Sequence, residues 1–109
     1  MSIELPAIVS EYFSADKEKG ADAVAACFAA DGIVKDEGQT FTGREAIRQW
    51  KAHSGTKYTY TADPVSIAVE GDRTVVTSHV VGNFPGSPID LRYFFTFAGD
   101  RIATLEITV

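Results

Sequence analysis

The residues best suited to chemistry lie in FAADGIVKDEG, residues 28–38, which ends by setting Asp36 beside Glu37. A carboxylate there is either the solvated end of a strand or a group turned into an apolar hollow. In the second case it becomes a general base, because burial disfavours its charge and raises its affinity for a proton. Val34 and Asp36 share one strand face and Ile33 and Lys35 the other, so alternation alone leaves both readings open. His53 sits near a helix end, where its charge complements the dipole. His79 shares a strand face with Val75, Thr77 and Val81, as a pocket acid or as part of a subunit contact. The two histidines lack metal-ligand spacing, and no metal site is expected. Cys27 lies within AVAACFAA and reads as a buried, inert thiol.

These groups must be positioned by two kinds of element. Leu5, Ile8, Val9, Tyr12 and Phe13 recur at helical steps from Ile3 to about Ala15, with Pro6 in the first turn. KEKG ends that helix, its lysines Lys17 and Lys19 suiting the dipole and Gly20 serving as a left-handed cap. A second helix is expected near Ala23–Ala30, burying Val24, Cys27 and Phe28. An Asp31-Gly32 turn and a short strand, Ile33 to Asp36, follow. A third helix, REAIRQWKAH, turns Ile47 and Trp50 inward and stops at Gly55. Its Arg44, Arg48 and Lys51 are read as a solvated face.

The second half changes period. It is rich in Val, Ile, Thr, Tyr and Phe and is cut by turn signals at residues 70–72, 83–88 and 98–100, giving three or four long antiparallel strands. Pro64 implies a bulge or an edge. In LRYFFTF, Leu91, Tyr93, Phe95 and Phe97 face the helices. Arg92, Phe94 and Thr96 face away, where Phe94 could meet another subunit. Helices followed by a strand meander read as α+β, with helices packed on one face of a curved sheet.

At 109 residues the chain is one domain, residues 1–109. A formal charge of −5 with scattered basic residues argues against nucleic acid and anionic membranes as partners. There is no leader-like segment, and no apolar run approaches the ~18 residues of a membrane span, so a cytoplasmic location is expected. A single cysteine excludes an internal disulfide. No nucleophile elbow, phosphate loop or dinucleotide fingerprint is present.

The order of helix, FAADG, a strand ending in Asp, TGREAIRQW and a sheet ending in GDRIATLEI resembles the nuclear transport factor 2-like superfamily. Within it the chain is similar to the SnoaL-like polyketide cyclase and ketosteroid isomerase branch. The resemblance implies a cone: a bent, mainly antiparallel (mixed) sheet around three N-terminal helices, enclosing an apolar pocket. It implies a homodimer through the outer sheet face and a small apolar molecule as ligand. FAADGIVKD matches the isomerase stretch without a gap and puts Asp36 on the catalytic base. Tyr12, sixteen residues before Phe28, falls on the oxyanion donor. The third isomerase group, a protonated Asp, is replaced near its position by Tyr93.

The resemblance thus implies cofactor-free proton transfer, as isomerisation or aldol-type cyclisation, with Trp50, Tyr93 and Phe95 as pocket walls. Donors aimed at developing negative charge are each worth roughly 3–4 kcal/mol in such sites, and ketosteroid isomerase is the worked case of this arrangement. Asp90 and Arg92 resemble the Asp–Arg pairing of limonene-epoxide hydrolases, without a second matching Asp. A non-catalytic ligand-binding or dimerisation module of the same fold is the alternative.

Overall fold

Helix α1 (Ala7–Lys17) follows Pro6 and buries Val9, Tyr12, Phe13 and Asp16, one stripe at helical spacing. The computed structural model describes residues 4–18 and 20–109. Ile3 and Lys19, assigned above to the ends of this helix, lie outside them. Gly20 is not a left-handed cap: its φ is −86°, and its carbonyl accepts from the Val24 N–H to open the next helix. Helix α2 (Ala21–Ala26) is shorter than expected and buries Val24 and Ala25.

Phe28 belongs to strand β1 (Phe28–Asp36) and not to the helix. It pairs with Ile102, and its carbonyl accepts from Arg44 Nε at 2.9 Å. Asp31-Gly32 is correspondingly a bulge inside the strand, marked by a register shift between Phe28 and Ile33, and not a turn. Glu37 and Gly38, at φ 52° and 76°, form a two-residue hairpin into β2 (Gln39–Thr42), a strand the sequence pattern did not reveal.

Helix α3 (Arg44–Lys57) continues through Gly55, which does not stop it. It buries Ile47, Trp50 and also Lys51. The solvated-face reading therefore holds for Arg44 and Arg48 and fails for Lys51, which lies four residues after Ile47 on the inward side.

Four strands follow: β3 (Tyr60–Glu70), β4 (Arg73–Gly82), β5 (Ile89–Ala98) and β6 (Arg101–Thr108). The sheet order is β2-β1-β6-β5-β4-β3. Only β1 with β6 is parallel, so the sheet is mixed and unclosed. Pro64 occupies both places expected for it, a bulge and an edge strand. The helices cover one sheet face around a core that includes Tyr12, Phe13, Phe28, Ile47, Tyr93 and Phe95.

Phe94 lies on the opposite face, its ring 4.5 Å from the Arg73 guanidinium carbon and 5.3 Å from that of Arg92. On the same face, four residues further along the β4–β5 ladder, His79 stands across from Asp90, with Nδ1 2.9 Å from Oδ1 and both side chains exposed. That placement takes His79 out of the pocket and puts it on the outer face.

Candidate functional site

Asp36 ends β1 on the same face as fully buried Val34, which turns its carboxylate toward the helices. Trp50, on α3, donates its indole N–H to Asp36 Oδ2 at 3.0 Å. Burial raises the proton affinity of this carboxylate and Glu37 adds to the rise. The Trp50 hydrogen bond, the Lys51 charge and the Glu37 backbone N–H oppose it, and the net result lies above the ordinary carboxylate range.

Tyr12 reaches the same place from α1. Its ring is packed edge-on by Phe13, Phe28, Tyr93 and Phe95 at centroid distances of 5.2–6.4 Å. Burial first, then the nearby Asp16 carboxylate, pushes its phenol well above the usual tyrosine range. Tyr93 is raised for the same two reasons in the same order. Both phenols therefore remain protonated hydrogen-bond donors.

Tyr12, Asp36, Trp50 and Tyr93 border one cavity of about 610 Å³. Its apolar wall includes Val80, Phe84, Ile89, Leu91 and Ile107. Phe95 is not on that wall: it is fully buried beneath it, stacked on Tyr93 with centroids 6.4 Å apart. It supports the site without facing it: two residues beyond Tyr93 on the same face of β5, it is covered by Tyr12 and Phe13 instead of bordering the cavity.

Pattern reading missed a second group at the same cavity. Lys51 Nζ meets Asp16 Oδ1 at 2.5 Å, the side chains 6% and 5% exposed. The Tyr60 hydroxyl donates to the same carboxylate oxygen at 2.7 Å and accepts from Lys51 at 3.0 Å. Lys51 Nζ also lies 4.3 Å from the Trp50 ring centroid, a cation–π contact. A signal was available: Asp16 follows Tyr12 by four residues and Lys51 follows Ile47 by four, so each charge falls on an apolar stripe. Gly82 lets β4 pass close to Thr59 and Tyr60, since a Cβ there would stand 2.4 Å from the Thr59 carbonyl oxygen. Tyr60 is thereby held toward the cavity.

The arrangement provides one carboxylate with raised proton affinity, two phenol donors and a fixed ammonium around an apolar volume. It can bind a small molecule, take a proton from it and stabilise the oxygen that becomes negative. Among the described residues no group of three or more His, Cys, Asp or Glu side chains could hold a metal. No helix described is long and apolar enough to cross a membrane.

The sequence matches the SnoaL-like domain over residues 9–105. A candidate polyketide cyclase of Sinorhizobium meliloti is 43% identical, with a TM-score of 0.90 and 95% of each chain covered. A Catenulispora acidiphila protein with a ketosteroid isomerase-like fold, solved with trimethylamine, is 25% identical with a TM-score of 0.85, covering 97% of this chain and 87% of that one. An NTF2-like protein of unknown function from Burkholderia pseudomallei, 18% identical with a TM-score of 0.80, shares the fold over 93% of this chain and 86% of its own. No curated protein matches the sequence.

Proposed function

The chain belongs to the SnoaL-like domain family, and from that premise we propose that it binds a small apolar carbonyl compound and moves a proton on it. Asp36 is the base, and Tyr12 donates to the substrate oxygen with help from Tyr93. The observation that carries this reading is the raised proton affinity of Asp36 in a cavity bordered by both phenols. The S. meliloti relative, itself a candidate polyketide cyclase, supports the same class of chemistry.

Asp36 takes the proton next to the carbonyl: the C–H bond breaks, an O–H bond forms on the carboxyl, and the electron pair moves to the substrate oxygen as an enolate. The phenols stabilise that oxygen. Returning the proton to a different carbon isomerises the substrate. Attack of the enolate carbon on a second carbonyl instead forms a C–C bond, and the new alkoxide recovers the proton from Asp36. Each route restores the carboxylate.

The test is hydrogen–deuterium exchange at the α-carbon of 2-tetralone, followed by NMR. The protein accelerates exchange, and Asp36→Asn lowers the acceleration by about a hundredfold or more. Equal acceleration by both proteins removes Asp36 as the base, and no acceleration by the wild type leaves a ligand-binding module, a reading favoured by Tyr93 standing near the place of a carboxylic acid.

We also propose a homodimer through the outer sheet face. Its support is Val81, 45% exposed, on the same outward side of the sheet as Phe94. Sedimentation showing only monomer at micromolar concentration ends that proposal.

A further inference from the structure

The Lys51–Asp16–Tyr60 triangle neither takes nor gives the transferred proton, and its cost needs a reason. Burying an ion pair removes both charges from water, and an apolar pair of similar volume is usually as stable or more so. Packing alone gives little cause to place a lysine and an aspartate on the apolar stripes of α1 and α3. What distinguishes the pair is location, since Lys51 lines the cavity that holds Asp36 and Tyr12.

An ammonium has three hydrogens to donate. Among the described residues Lys51 has two acceptors, Asp16 Oδ1 and the Tyr60 hydroxyl. The third hydrogen remains for a molecule in the cavity. Asp16 and Tyr60 fix Nζ in place, and the Trp50 face backs it at 4.3 Å. The Tyr60 hydroxyl, already giving its proton to Asp16, is committed to holding the ammonium. Nζ is 5.9 Å from the Tyr12 ring centroid, so the ammonium and the donor phenol border the same volume.

The cavity is consequently rich in donors. Tyr12, Tyr93 and Lys51 all present hydrogens, and Asp36 already accepts one from Trp50. A ligand satisfying these donors brings acceptor oxygens, and beside a fixed cation the best acceptor is an ionised one.

We propose that Lys51 is a ligand-binding residue that takes an anionic oxygen, so the natural ligand is an apolar organic acid carrying a carboxylate or an acidic enol or phenol besides its carbonyl. This deepens the proposed function, since it concerns the same cavity, but it rests on binding and not on proton transfer.

The test compares 2-naphthoate, 4-nitrophenol and neutral 2-acetylnaphthalene as probes. Lys51→Met alone strands a buried Asp16, so the informative protein is Lys51→Met with Asp16→Leu, which removes a neutral pair and leaves formal charge unchanged. The wild type binds 2-naphthoate more tightly than 2-acetylnaphthalene and lowers the pKa of bound 4-nitrophenol, read from phenolate absorbance. In the double variant, checked for folding by circular dichroism, affinity for the anionic probes falls about ten- to a hundredfold while the neutral probe is little changed. Loss confined to 2-naphthoate identifies a carboxylate, and loss confined to 4-nitrophenolate identifies an enol or phenol.

Unchanged anion affinity in a folded double variant overturns the proposal, as does a wild type that binds neither anion. Because the readout is equilibrium binding, its failure is separable from loss of the Asp36 role, which is read from exchange on 2-tetralone.

Discussion

Trp50 and Asp36 are joined by an indole N–H hydrogen bond of 3.0 Å to a carboxylate whose proton affinity is raised chiefly by burial. The bond works against burial, because a donor to the ionised form favours that form. Trp50→Phe removes the donor while keeping an aromatic wall. The Asp36 pKa then rises further, because the ionised form loses a donor that favoured it. Carboxyl carbon NMR titration measures it, and a fall in pKa contradicts the assignment.

The same shift has a consequence for stability. A carboxyl with a raised pKa in the folded state holds its proton where the unfolded chain has lost it. Between the unfolded value, about 3.9, and the higher folded value, the folded state binds more protons, so the Asp36 contribution to stability falls as pH rises. Asp36→Asn removes this dependence. Urea unfolding at a series of pH values shows the variant gaining on the wild type as pH rises through that window, then a constant difference above it. A difference independent of pH means the acid is not perturbed.

Breaking the Lys51–Asp16 pair from one side is costly. Lys51→Met leaves a carboxylate buried without its cation and destabilises the fold by about 3–5 kcal/mol. Adding Asp16→Leu recovers most of that loss, since no uncompensated charge remains. Denaturation midpoints of the two variants decide it, and additive losses count against a coupled pair.

Tyr12→Phe keeps the ring that four aromatic neighbours pack and removes the hydroxyl alone. Under the proposed chemistry it slows α-carbon exchange by roughly a hundredfold, the value of one donor to a developing oxyanion. Thermal stability changes little by comparison. A variant that exchanges as fast as the wild type assigns the hydroxyl to packing.

Local pattern carried much of this protein. The stripe Val9, Tyr12 and Phe13, the period of the long strands, the Pro64 bulge and the inward placement of Tyr93 follow from steps of three, four or two residues, which are properties of one element at a time. So does the direction of Asp36, once Val34 is known to be buried.

Tertiary structure decided what lies between elements. Phe28 became strand because Ile102 and Arg44 claim its backbone, and no local propensity contains those partners. Lys51 looked solvated beside Arg44 and Arg48 until Asp16, 35 residues away, supplied a buried counter-charge. A lone charge on an apolar stripe is unfavourable to bury, so a single helix argues against burial. The second helix reverses that balance, and only folding brings the two together.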